Sequence, residues 1–142
     1  MDVQKWLEQV GMLDQLINAK NAERERLMDI ATDISPNMDG MPFDNTGMVS
    51  RRVENSAVKL VMLAREIDAL IDKYIDYKNE VINALEKLPK NEYGVLHRHY
   101  IRYMTWEQVA EEMGYSTVQV WRIKNKALEN LKDIITKEAV KV

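Results

Sequence analysis

Cysteine is absent from this 142-residue sequence, and glycine and proline occur only five and three times. A chain without cysteine forms no disulfide and offers no thiolate zinc site, which is consistent with a reducing cytosol. Few turn-forming residues, together with 46% hydrophobic and 30% charged residues, predict a small number of long helices. The sequence also lacks a signal-peptide pattern and any apolar run approaching about eighteen residues. We therefore expect a cytoplasmic protein that neither spans a membrane nor is exported.

The sequence has few residues arranged for catalysis or metal binding. Its two histidines, His97 and His99, lie two positions apart on a predicted helix, so their side chains point about 200° apart and cannot bind one metal ion together. A Gly-rich phosphate loop, a nucleophile elbow and a metal-spaced acidic cluster are all missing. We expect no enzymatic activity, no cofactor and no metal, and we interpret both histidines as surface or phosphate-contacting residues.

Residues 1–88 contain two long amphipathic patterns that predict helices. The first covers about residues 3–33, where apolar residues recur at alternating three- and four-residue steps. The second begins at Ser50 or Arg51 and follows a heptad seam: Val53, Ala57, Leu60, Ala64, Ile67, Ile71, Tyr74, Val81, Leu85 and Leu88. Residues 34–50, between them, are rich in Gly and Pro turn signals and predict a long loop. The expected all-α structure begins with a long antiparallel helical hairpin with coiled-coil-like packing.

Two features of this hairpin predict contacts with other proteins. Extra apolar residues widen the seam beyond what one helix covers: Val58, Val61, Leu63, Leu70, Ile75 and Ile82. Residues 1–89 contain 11 Lys or Arg against 16 Asp or Glu, a charge that repels DNA. We therefore interpret residues 1–88 as an interaction or oligomerisation domain and expect homo-oligomers through the long helices.

Three shorter helices are predicted in residues 89–142, after Pro89 ends the second long helix. They cover about residues 91–102, 105–113 and 117–135. This part of the chain contains 9 Lys or Arg against 7 Asp or Glu, so its charge is opposite in sign to that of the hairpin. A local basic helix attracts phosphate even when the whole protein is acidic.

The break between the second and third of these helices predicts a helix-turn-helix. Thr105 is positioned as an N-cap, and Gln108 completes a capping-box pattern. Gly114 supplies the left-handed residue that ends a helix tightly, and Ser116 is positioned to cap the next helix. Helices joined by so short a turn are typical of helix-turn-helix domains, whose second helix enters the major groove of double-stranded DNA.

The last helix carries the predicted DNA-binding surface. Spacing assigns Val120, Ile123, Ala127, Leu128 and Leu131 to its buried side. The outward residues expected to bind DNA are Thr117, Val118, Gln119, Trp121, Arg122, Lys124, Asn125 and Lys126. Gln119 suits adenine, Arg122 suits guanine, and Thr117 or Val118 suits a thymine methyl group. Lys124, Lys126 and Lys132 suit phosphates. Trp121 is also compatible with packing on the first of the three helices.

These residues resemble region 4 of bacterial sigma-70-type RNA polymerase subunits. The residues that match its pattern are Thr105, Glu107, Gln108, Val109, Ala110, Glu111, Met113, Gly114, Ser116, Val120, Ile123, Ala127, Leu128 and Leu131. The stretch LPKNEYGVLHRHYIRYMTWEQVAEEMGYS, with the long helices before it, is also similar to ArpU- and RinA-like late-gene activators from phages of Gram-positive bacteria. The resemblance implies a phage transcription regulator that binds promoter DNA and contacts host RNA polymerase.

Two other functions fit the same pattern. A phage small terminase subunit also combines a helix-turn-helix with a helical oligomerisation region, but it serves DNA packaging. Alternatively, the acidic hairpin carries the function, and the sigma-like domain docks on polymerase without reading DNA. Binding to a packaging ATPase would favour the first, and insensitivity to neutralising Arg122 and Lys124 would favour the second.

Overall fold

Helices account for nearly all of the chain that the computed structural model describes, residues 2–34 and 46–140. Helix α1 covers Val3–Ile34 and α2 covers Thr46–Leu85. The later elements are α3 (Lys90–Leu96), a π-helix (His97–Ile101), α4 (Trp106–Met113) and α5 (Thr117–Val140). No strand occurs within these described ranges, so the predicted all-α fold is confirmed.

The helix boundaries differ from the predicted ones at the predicted loop and at Pro89. Helix α2 begins at Thr46 rather than at Ser50 or Arg51, so residues 46–50 of the predicted loop are helical instead. Residues 35–45 of that loop lie outside the described residues. Helix α2 also ends earlier, at Leu85, and a short turn follows in which the Leu88 amide donates to the Leu85 carbonyl at 3.0 Å. Pro89 then serves as the N-cap of α3. Proline suits this place because its missing N–H is not needed there.

The chain forms two compact units, residues 1–14 with 74–142, and residues 15–73. In the first unit, the ends of both long helices share one apolar core with the carboxyl-terminal helices. Its fully buried side chains are Leu7, Val10, Val81, Leu85, Leu96, Ala127 and Leu131. Each buried Leu or Val contributes about 1.5–3 kcal/mol relative to an exposed position. The division of the chain at residues 88 and 89 stays a prediction about domains.

Helices α1 and α2 contact each other within each of the two units. In the first unit, the Tyr77 hydroxyl donates to the Trp6 carbonyl at 2.8 Å. In the second unit, Lys20 Nζ lies 3.0 Å from Glu66 Oε2. Coiled-coil supercoiling of this pair stays a prediction.

The buried face of α2 in the second unit departs from the predicted seam near the start of the helix, whereas seam residues Leu60, Ala64 and Ile71 are half-buried. Ile67 is buried as the seam predicts, but Ser56 and Leu63 beside the seam are also buried, and the seam residues Val53 and Ala57 are exposed. Both sets follow three- and four-residue steps, so spacing alone does not distinguish them. Val58, Val61 and Met62 remain 55–58% exposed, an apolar surface consistent with the expected self-association. None of the described helices is long and apolar enough to cross a membrane.

Candidate nucleic-acid interface

The start of α4 is fixed by the capping box that its sequence predicts. Thr105 Oγ1 accepts a hydrogen bond from the Gln108 amide at 3.2 Å, and Gln108 Oε1 accepts one from the Thr105 amide at 2.9 Å. These two reciprocal bonds satisfy amides that the first helical turn leaves without partners. The prediction for Thr105 is confirmed.

The end of α4 is a left-handed turn at Gly114, with φ 71° and ψ 28°. The Tyr115 amide donates to the Ala110 carbonyl at 2.9 Å, and the Gly114 amide donates to the Glu111 carbonyl at 3.3 Å. This pair of bonds is the Schellman motif, in which a residue at positive φ closes the helix. Glycine adopts that conformation without a steric penalty, so the predicted role of Gly114 is confirmed.

Ser116 caps α5 with a second capping box. Its Oγ accepts from the Gln119 amide at 3.2 Å, and Gln119 Oε1 accepts from the Ser116 amide at 2.9 Å. Ser116 therefore acts as predicted. Gln119 is exposed, but its carbonyl oxygen already has a partner, so a two-bond contact with adenine would compete with the cap.

A small apolar core fixes the angle between α4 and α5. It consists of Val95 from α3, Val109 and Ala110 from α4, and Val120 from α5, each no more than 4% exposed. Ala110, a small residue, is 4% exposed in this core. The predicted buried side of α5 is confirmed, because Ala127 and Leu131 are fully buried and Ile123 and Leu128 are half-buried.

Packing on that core leaves one side of the first turns of α5 open to solvent. Val118 is 57% exposed and Trp121 is 52% exposed. The other exposed members of the predicted DNA-binding set on this helix are Thr117, Gln119, Arg122, Asn125 and Lys126. Side chains at positions 118, 121, 122 and 125 share one face because they are spaced by three and four residues.

Lys124 does not lie on this exposed face, contrary to prediction. Its side chain is buried, with only 9% exposure. Its Nζ lies 5.1 Å from the centroid of the Trp106 ring and 4.3 Å from that of Trp121. Both distances are within the range of cation–π attraction, so the ammonium group has two aromatic faces to replace lost water.

Residues 84–133 match the family described as Sigma-70, region 4. The matched segment extends from the end of α2 through α3, the π-helix and α4 into α5, about a third of the chain. No match to a curated protein or to a solved structure was found. The match and the geometry agree on a sigma-70 region 4-like helix-turn-helix, a DNA-binding fold. We refer to residues 84–133 as the region 4-like segment.

Lys124 belongs to a stack of side chains across the region 4-like segment. The His99 and Trp106 rings lie nearly parallel, with centroids 3.6 Å apart and an angle of 13°. We define His99, Trp106, Lys124 and Trp121 as the aromatic column. The His99 Nδ1 also lies 2.7 Å from the Met104 carbonyl oxygen. Burial lowers the pKa of His99 below its ordinary value of 6.5, although the hydrogen bond with Met104 acts in the opposite direction.

The sequence suggested that both histidines are surface or phosphate-contacting residues. In the structure, neither is fully exposed. His99 is half-buried in the aromatic column, and half-buried His97 stacks on Tyr93 with ring centroids 5.2 Å apart. Burial lowers the pKa of His97 as well, with a further contribution from the nearby positive charges of Arg102 and Arg98. Across the described ranges, no group of three or more His, Cys, Asp or Glu side chains could hold a metal ion.

Apart from buried Lys124, some cations of the region 4-like segment form ion pairs and others do not. Arg102 Nη1 lies 2.9 Å from Glu112 Oε1, and Arg98 Nε lies 3.4 Å from the same oxygen. The hydrogen bond from Arg102 is the main reason that the pKa of Glu112 is lowered. By contrast, Arg122 and Lys126 form no ion pair within the described residues. The exposed cations of α5 are therefore free to contact phosphates or bases.

Sequence reasoning missed the aromatic column, although one signal was present. Lys124 follows Trp121 by three positions, a spacing that brings side chains together on a helix. The contribution of Trp106 depends on how α4 packs, which spacing within α5 does not reveal. Tyr103 was also missed: it has φ 58°, and its hydroxyl lies 3.1 Å from that of Tyr74.

Proposed function

We propose that this protein is a sequence-specific DNA-binding transcription regulator of a phage of Gram-positive bacteria, which activates late genes. The observation that supports it best is the exposed face of α5, held outward by two capping boxes and the Gly114 turn. In a helix-turn-helix, this is the helix that lies in the major groove. Double-stranded DNA is the partner of this face.

The exposed residues of α5 divide by chemistry into base contacts and phosphate contacts. The Arg122 guanidinium can donate two hydrogen bonds to guanine, and the Asn125 amide can pair with adenine. Lys126 and Lys132 are exposed on the same helix and contact phosphates, which give affinity without sequence preference. Gln119 contributes mainly its amide donor, because its oxygen serves the cap.

Host RNA polymerase is the second proposed partner, because the matched region 4 belongs to sigma subunits of RNA polymerase. The long helices provide the surface for a further copy of this chain. Their exposed apolar residues Val58, Val61 and Met62 support that role, and the acidic charge of residues 1–89 argues against DNA as their partner. The protein acts by binding alone, without catalysis or a cofactor.

The test is genome-wide recovery of DNA bound to the protein in an induced lysogen. Wild type is compared with a variant carrying Arg122→Ala and Lys126→Ala. The matched control carries Arg51→Ala and Lys59→Ala, which remove one exposed Arg and one exposed Lys from α2. We expect wild type and control to enrich one phage promoter, and we expect the α5 variant to lose that enrichment.

Two outcomes would contradict the proposal. Enrichment at a packaging site would indicate a small terminase subunit. Recovery of RNA polymerase without specific DNA, unchanged in the α5 variant, would indicate a docking protein that does not read bases.

A further inference from the structure

Two apolar side chains stand on the face of α5 that otherwise carries polar groups. Val118 and Trp121 are 57% and 52% exposed, and three positions separate them, so they lie side by side. Exposed single apolar residues are common, but this pair occupies the helix face that the proposed function places in the major groove. Water must leave this pair when DNA binds.

The Trp121 indole is held in place before DNA binds. The Lys124 ammonium lies 4.3 Å from its centroid and is itself buried against Trp106, which stacks on His99. A positioned ring loses little conformational freedom when it makes a contact, so its apolar area is used efficiently. The charge of Lys124 is turned towards two rings, unlike that of exposed Lys126.

The major groove offers few apolar groups to such a ring. Guanine, cytosine and adenine present nitrogen and oxygen atoms along the groove, whereas thymine also presents its C5-methyl group. An apolar pair next to Arg122 therefore fits a thymine beside the base that Arg122 contacts. Deoxyuridine differs from thymidine only in lacking this methyl group, so replacing one by the other tests the contact directly.

We infer that Trp121, together with Val118, determines specificity by contacting a thymine methyl group, and that Lys124 is a positioning residue for Trp121 rather than a phosphate contact. The inference rests on the proposed function, because it requires α5 to lie in the major groove. It assigns Lys124 a role different from that of Lys126 on the same helix.

The experiment begins with a duplex selected by the full-length wild-type protein from a random DNA pool. Each thymine in that duplex is replaced in turn by deoxyuridine, and binding is measured by fluorescence anisotropy at one fixed salt concentration. For wild type, we expect about fourfold weaker binding at one or two adjacent positions, which corresponds to about 0.8 kcal/mol for one buried methyl group. For Trp121→Ala, we expect the same replacements to change affinity by less than about 1.5-fold.

Matched lysine variants separate positioning from phosphate contact. Lys124→Met keeps an apolar chain between the indoles but removes the charge. For this variant, we expect a smaller ratio of the affinity for the thymine duplex to the affinity for the deoxyuridine duplex, and an unchanged salt dependence of binding. Lys126→Met should keep the ratio and lower the salt slope by about one. Lys124→Arg should keep the ratio, because a cation remains between the rings. Circular dichroism melting confirms that each variant is folded at the assay temperature.

The outcomes distinguish this inference from the proposed function. If wild type selects a sequence but no thymine methyl affects binding, or if Trp121→Ala keeps the wild-type ratio, the inference is wrong and sequence-specific DNA binding stands. If Lys124→Met lowers the salt slope as Lys126→Met does, Lys124 is a phosphate contact. If Lys124→Met does not fold, Trp121→Ala decides the methyl contact and Lys124→Arg decides the positioning role. If wild type selects no sequence at all, the proposed function itself fails.

Discussion

Adding one methyl group at Gly114 or at Gly11 is expected to have opposite effects on stability. Both glycines belong to the compact unit of residues 1–14 and 74–142. Gly114 has φ 71°, and no atom of the described residues lies within 4 Å of the position that a Cβ atom would take. Gly11 lies inside α1, where a Cβ atom would meet Tyr103 Cε1 at 3.6 Å, an ordinary van der Waals distance. Crowding is therefore excluded at both sites, and backbone conformation decides the outcome.

The size of each effect follows from that conformation. Gly114→Ala costs about 1–2 kcal/mol because a left-handed residue brings Cβ close to the following carbonyl oxygen. Alanine also restricts the unfolded chain, which stabilises the folded state by about 0.4–1 kcal/mol. The net loss in free energy of unfolding is therefore about 1 kcal/mol. Gly11→Ala gains about 0.8–1 kcal/mol from helix propensity. The free energies of unfolding of the two alanine variants should therefore differ by about 2 kcal/mol. The free energy of unfolding of Gly114→Asn should be nearer to that of wild type, because asparagine tolerates positive φ.

Urea unfolding followed by circular dichroism at the helix signal measures the difference. With a slope of about 2 kcal/mol per molar urea, the two alanine variants should have midpoints about 1 M apart, on opposite sides of wild type. A Gly114→Ala midpoint at or above that of wild type would show that the turn is not held in the left-handed conformation. A Gly11→Ala midpoint below that of wild type would show that Tyr103 packs too closely against α1 to admit the methyl group.

Three further predictions concern the caps, a buried carboxylate and pH. Ser116→Ala should lower the free energy of unfolding by about 1 kcal/mol, measured by urea, because the α5 cap is lost. Asn130→Ala should lower the free energy of unfolding by about 1–3 kcal/mol, because the Glu92 carboxylate, which is 4% exposed, loses the donor that lies 2.6 Å away. Asn125→Ala, at an exposed site, should leave the free energy of unfolding nearly unchanged. Because the pKa of His99 is lowered from 6.5, the unfolded chain takes up its proton first as pH falls. Stability measured by urea should therefore fall from about pH 7 downwards through 6.5, and less steeply in His99→Gln; equal slopes in both proteins would contradict this assignment.

Local chemistry made the helix-turn-helix predictable from the sequence. Thr105, Gly114 and Ser116 each have a role set by the residues immediately around them, through hydrogen bonds and one positive φ angle. The structure contains all three features where the sequence placed them. The buried residues of α4 and α5 were predictable for a related reason, because a helix packed on one side buries every third or fourth residue.

The burial of Lys124 and of the first residues along α2 was not predictable in this way, because both depend on packing against other elements. A lysine is expected in solvent unless something replaces its hydration, and here Trp106 on α4 does so together with Trp121. On α2, two interleaved sets of residues have equivalent spacing, and only packing in the second unit selects Ser56 and Leu63 over Val53 and Ala57. The DNA contacts themselves stay predictions.

The central claim is that the outward face of α5 reads base edges, and in vitro selection tests it most directly. Wild type and Arg122→Ala are each used to select duplexes from a random pool, and the two enriched sequences are compared. We expect wild type to enrich one sequence containing a guanine, and Arg122→Ala to lose preference at that position alone, with affinity for the wild-type site reduced about tenfold or more. Identical sequences selected by both proteins, or no enrichment by wild type, would contradict the claim.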